Sequence, residues 1–291
     1  MIQFNFEGIG TAWVIDIYKD LTKSKEENIL SKIKNRIEIF DKNYSRFRDD
    51  SLVTKMSKDI GDFLLPDDAE EMFSLYYDLY LKTNGLFTPL VGDLLSDAGY
   101  DAKYSLKQRK DLEIPLAWEE VMEYKFPNLK INKPVLLDFG AGGKGYLVDL
   151  VAKVLEEDNI FEYCIDAGGD ILHKGKMPIR VGLENPENIK QVIGVYNLQN
   201  KSICGSAGNR RKWGNFTHIF NPKTLTSPDE IIGVWVVAKT ALLADALATC
   251  LFFVSAENLF DYEFEYILIK KDFSVEKSKN FSGEIFSANN L

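Results

Sequence analysis

The stretch from Leu136 to Tyr146, Leu-Leu-Asp-Phe-Gly-Ala-Gly-Gly-Lys-Gly-Tyr, constrains this chain more than any other. An apolar run ends in a carboxylate, then breaks into four glycines around one lysine. Leu147, Leu150, Val151, Val154 and Leu155 follow at helical spacing. Such a chain passes from an extended segment into a helix with no Cβ in the way, which lets backbone approach a phosphate or a nucleotide. The pattern predicts a buried strand over 135–139 and a helix over 144–157. Gly140, Gly142 and Gly145 also match the spacing of the dinucleotide fingerprint. Two features count against that match: Asp138 sits inside the strand, outside the fingerprint, and 139 residues precede the glycines. A Walker loop is excluded, because Lys144 is followed by Gly145 instead of Ser or Thr. On the residues alone, a turn that only tightens a strand–helix connection stays open.

A chain of 291 residues with 45% hydrophobic and 27% charged content reads as globular. Its net charge of −9 argues against nucleic-acid binding. Cys164, Cys204 and Cys250 lie in apolar surroundings without metal-like spacing and read as reduced core residues. The segment Met1 to Glu7 has no basic, apolar or cleavage-site pattern. The longest apolar helix candidate carries Asp245 and is short for a membrane span. The expectation is a cytoplasmic chain with no membrane span, or a periplasmic or anchored one if a leader was removed.

Strands are predicted over 11–18, 163–166, 178–183, 192–198, 215–220, 231–238 and 264–270. Helices are predicted over 24–41, from Pro66 to about Asn84, and over 240–254. Residues 96–134 read as an irregular lobe with short strands. The mixture is α+β, with no linker dividing it.

Two further places carry chemistry. Asp245 and Thr249 lie four apart on the 240–254 helix and share a face among small and apolar neighbours. A carboxylate there needs a partner or a cation, and a carboxylate with a hydroxyl suits Mg²⁺. An Asp that serves the helix N-terminus is the alternative. His218 precedes the Asn221-Pro222 turn, near a strand end, where either a structural or a functional role fits. Upstream, Ser206 to Arg211 offers a hydroxyl, amides and cations suited to phosphate. His173 reads as an exposed turn residue with no role.

Taken in order, seven segments resemble the ApbE family of flavin transferases. They are Gly10-Thr11, Tyr44 to Leu52, Gly85 to Gly92, Asp138 to Asp149, Ala167 to Asp170, His218 to Thr224 and Ala244 to Thr249. The resemblance covers nearly the whole chain. It implies one ApbE-like domain over 1–291, with antiparallel and mixed sheets packed by helices in a T-fold-related arrangement, not a Rossmann fold. It further implies Mg²⁺ held by Asp245, Thr249 and the carbonyl of Ala141. FAD would contact Ile9, Phe47, Leu86, Phe87, Thr88, Asp138, Lys144 and Phe220. His218 and Asp245 would be the catalytic residues. The implied reaction is Mg²⁺-dependent transfer of FMN from FAD to a Thr or Ser hydroxyl of an acceptor flavoprotein, with AMP released. A FAD pyrophosphatase and a non-catalytic FAD-binding protein are the alternatives. Thr88, Asn221 and Leu225 stand where the family pattern has Asp, Asp and Gly.

Overall fold

The computed structural model describes residues 1–209 and 211–286. Trp13, Ile15 and Ile17 alternate inward on the strand Thr11–Ile17, which pairs along its length with Ile2–Gly8. The two-residue turn between them puts Ile9 and Gly10 at φ 45° and 73°, the left-handed backbone that a tight hairpin requires. The hairpin is one edge of an eight-stranded sheet whose pairings are all antiparallel. Its order is Ile2–Gly8, Thr11–Ile17, Tyr163–Ala167, Asp170–Lys174, Ser202–Ala207, Ile231–Ala238, Phe264–Lys270 and Val275–Lys277.

The helices Lys23–Tyr44, Gly143–Glu157 and Ala241–Cys250 pack with one another and with the sheet around one large apolar core. A three-stranded sheet of Ile179–Asn185, Asn188–Leu198 and Glu284–Ile285 contributes Leu183, Tyr196 and Leu198 to a second core. In that core they meet Ile203, Trp235, Val237, Ile267 and Ile269 of the large sheet. The architecture is α+β, as the element pattern predicts. Among the described residues, no helix is long and apolar enough to cross a membrane. The three cysteines are free and buried.

Three expectations change. Residues 135–139 run extended but join no sheet. Their N–H groups instead reach three separate segments: Val135 donates to Met56 O (3.3 Å), Leu136 to the Asp93 carboxylate (3.0 Å) and Asp138 to Pro89 O (2.8 Å). The strand predicted over 215–220 shrinks to Phe216–Thr217, because Asn221 turns the chain back on itself. His173 is not in a turn: it is 1% exposed in the strand Asp170–Lys174, opposite Cys164 and against the ring of Tyr18. The turn signal at Lys174-Gly175 acts two residues later than read. The predicted lobe over 96–134 holds the helix Trp118–Val121 and the hairpin Met122–Lys125 with Asn128–Ile131, which pairs with Gly61–Leu64.

Candidate functional site

Gly145 decides how the site is assembled. A Cβ there would stand 2.2 Å from the carbonyl oxygen of Ala241 and 2.7 Å from Asp245 Cβ. Only glycine lets the Gly143–Glu157 helix approach the Ala241–Cys250 helix this closely. The contact carries a hydrogen bond, from Gly145 N–H to Asp245 Oδ2 at 2.9 Å. One turn further on, the Thr249 hydroxyl lies 3.4 Å from the carbonyl oxygen of Ala141, in the glycine loop. The loop and the distant helix therefore present a carboxylate, a hydroxyl and a carbonyl to one cleft.

That cleft is lined by Phe47, Leu86, Phe87, Thr88, Asp138, Ala141, Lys144, His218, Phe220, Asp245 and Thr249. Of the residues that the resemblance assigns to FAD, metal or catalysis, only Ile9 lies outside the lining, in its hairpin turn. The three departures from the family pattern each have a local reason. The Thr88 hydroxyl accepts the N–H of Leu90 (3.2 Å) and caps the short 3₁₀ turn Pro89–Val91. Asn221 Oδ1 accepts the N–H groups of Lys223 (2.9 Å) and Thr224 (3.1 Å), so the turn forms without an aspartate. Leu225 adopts φ 59°, a conformation that favours the glycine of the family pattern.

Buried charge concentrates behind the glycine loop. Asp170 is fully buried, and the Lys144 ammonium pairs with it while also donating to Ala167 O at 3.2 Å. Burial, and then the charge of Asp170, raises the Asp245 carboxyl well above the usual range. Burial alone would lower the Lys144 ammonium, but Asp170 and Asp245 outweigh it and hold it up. Two carboxyl groups share one ammonium, and a cation beside Asp245 would favour its ionised form. Among the described residues, no three His, Cys, Asp or Glu groups are placed to hold a metal. The donor set at Asp245, Thr249 and Ala141 is all oxygen, which fits a hard cation that completes its shell with water and phosphate.

Several residues of the site carry no signal in a single sequence. Arg46 is 5% exposed. It pairs with Asp138, donates to Tyr100 O (2.7 Å), and lies 4.2 Å from the Phe47 ring centre. An arginine between two motif residues reads as a surface charge until the fold places Asp138 beside it. Tyr100 comes from the lobe that reads as irregular, and with Trp213 and Phe220 it belongs to a small third core beside the cleft. Asp170 stands in a quoted motif, but nothing in the sequence pairs it with Lys144.

His218 lines the same cleft, and its Nδ1 is buried without a hydrogen-bond partner among the described residues. Burial, helped by Arg211, lowers its pKa to about 4.

Fold and cleft together define the class: an α+β protein whose cleft combines aromatic rings, glycine backbone and oxygen donors. A model of the ApbE family matches residues 9–263, and the chain belongs to that family. It is 24% identical over 278 residues to the FAD:protein FMN transferase of Klebsiella pneumoniae (strain 342), covering 86% of this chain and 77% of that one. The corresponding enzyme of Escherichia coli (strain K12) is 22% identical over the same shares. Among solved structures, the flavin transferase ApbE from Vibrio cholerae superposes with a TM-score of 0.80 at 19% identity, over 96% of this chain and 97% of that one. The ApbE protein from Thermotoga maritima superposes with a TM-score of 0.76 at 21% identity, over 96% and 97%. These structures share the fold.

Proposed function

We propose that this chain transfers FMN from FAD to a Thr or Ser hydroxyl of an acceptor flavoprotein, releasing AMP. The observation that carries the reading is the meeting of Asp245, Thr249 and Ala141 with Asp138, Lys144 and His218 in one cleft. The names of the relatives supply flavin transfer; the cleft supplies groups suited to it.

Asp245, Thr249 and the Ala141 carbonyl would hold Mg²⁺, which would supply charge neutralisation on the pyrophosphate, an effect of several kcal/mol in such sites. Phe47 lines the cleft as an apolar wall for a flat ring of FAD, fixed in place by Arg46 over its ring and by Tyr104 stacked on it at 5.4 Å. In the reaction, an acceptor hydroxyl oxygen forms a bond to the FMN-side phosphorus. The bond from that phosphorus to the bridging oxygen breaks, and its electron pair leaves with AMP. The hydroxyl proton passes to His218, which is neutral at pH 7 and free to accept it.

The test incubates the protein with FAD, Mg²⁺ and a pool of peptides that each carry one Thr or Ser among random neighbours. Peptide-bound FMN with equal AMP supports transfer. Free FMN with AMP and no adduct would mean a pyrophosphatase, and bound FAD without AMP a binding protein.

A further inference from the structure

Besides Tyr100, five ionisable side chains line the cleft among the described residues: Asp138, Lys144, Arg211, His218 and Asp245. Two of them are ion-paired from behind. Arg46 pairs with Asp138, and Asp170 pairs with Lys144. Arg211 differs: among the described residues it makes no ion pair, and its only hydrogen bond from the side chain is Nη1 to the Tyr100 hydroxyl at 2.7 Å. It also lies 5.8 Å from the centre of the Tyr100 ring and is exposed. Its carbonyl accepts the N–H of His218 at 3.2 Å, which ties the two residues to one edge of the site. Ser206, in the strand Ser202–Ala207 that leads toward Arg211, lines the cleft too. Arg210, between them, lies outside the described residues.

An arginine that lines a cleft, held there by a tyrosine hydroxyl and with no carboxylate paired to it among the described residues, keeps its charge for a ligand. Its planar fork matches a phosphate better than an ammonium does. We infer that Arg211 is a catalytic residue: its guanidinium contacts the pyrophosphate of the flavin nucleotide and receives the charge that develops on the departing AMP phosphate. The assignment rests on the flavin-transfer reading for its second half only, since the grip on the pyrophosphate holds for any FAD-binding role. Tyr100 is then a positioning residue for Arg211. Lys144 is poorly suited to the task, because Asp170 already neutralises it.

The experiment compares parent, Arg211→Ala, Arg211→Lys and Tyr100→Phe. Flavin fluorescence gives the affinity for FAD and for riboflavin, which has no phosphate, and AMP release gives the rate. Arg211→Ala should weaken FAD by roughly 10-fold or more while leaving riboflavin unchanged, and should slow AMP release by about 10²–10³-fold. Arg211→Lys should recover part of both losses, and Tyr100→Phe should show a smaller loss of the same kind. If the parent binds FAD but releases no AMP, the transfer reading fails while the affinity ratio still tests the arginine. FAD affinity within twofold of the parent in Arg211→Ala, or an equal loss for FAD and riboflavin in Arg211→Ala and Arg211→Lys alike, would overturn the assignment.

Discussion

At the scale of single residues, His218 gives the sharpest consequence. Burial, and then the Arg211 charge, hold its pKa near 4, against 6.5 for an ordinary histidine. Protonation removes the base, so kcat/KM for AMP release should be level above about pH 5 and fall as pH drops through about 4. An acid limb near the ordinary value of 6.5 would count against this environment. His218→Ala should slow release by roughly 10²–10⁴-fold; release at the parent rate would remove the base assignment. Residue identities were legible in the sequence wherever a motif fixed them: Asp245, Thr249, Asp138 and Lys144 all reach one cleft. Arg46, Asp170 and Tyr100 were not legible as site residues. Their roles depend on partners that lie 92, 26 and 111 positions away, at Asp138, Lys144 and Arg211.

At the scale of elements, the site depends on two helices docked at their N-terminal ends. Asp149, on the first, accepts the N–H groups of Ala241 (2.9 Å) and Leu242 (2.8 Å), the open donors at the start of the second. Burial raises its carboxyl from 3.8 to about 7, against the pull of those two bonds. The folded protein thus holds a proton that the unfolded chain releases, so this group's contribution falls as pH rises from about 4 to about 7. Melting curves should show the parent losing Tm relative to Asp149→Asn between about pH 4 and pH 7. A difference independent of pH would contradict the raised pKa. Gly145→Ala should destabilise by about 1–3 kcal/mol in urea, because the added Cβ meets backbone that cannot swing aside; an unchanged midpoint would mean that the helices separate freely. The long periodic helices and the buried strands were legible from spacing. The 135–139 segment was not, since its apolar run matches a buried strand whether its N–H groups find a sheet or three loops.

At the scale of the whole molecule, the antiparallel sheet and its helices bring the glycine loop, the Ala241–Cys250 helix and the His218 turn to one cleft. The fingerprint spacing of the glycines is incidental to this arrangement. Gly145 serves helix approach, and no parallel sheet is present among the described residues. Fold class could be read from the alternation of elements, but strand order could not. The sheet pairs Thr11–Ile17 with Tyr163–Ala167, segments far apart along the chain, and no local pattern encodes that partner. The proposed transfer moves FMN to a protein hydroxyl through the oxygen donors around Asp245. Intact mass of the peptide pool after incubation with FAD and Mg²⁺ tests it most directly, with parent and Asp245→Ala side by side. FMN adducts should form on Thr- or Ser-bearing peptides with the parent and not with the variant; adducts with both, or with neither, would overturn the proposed transfer.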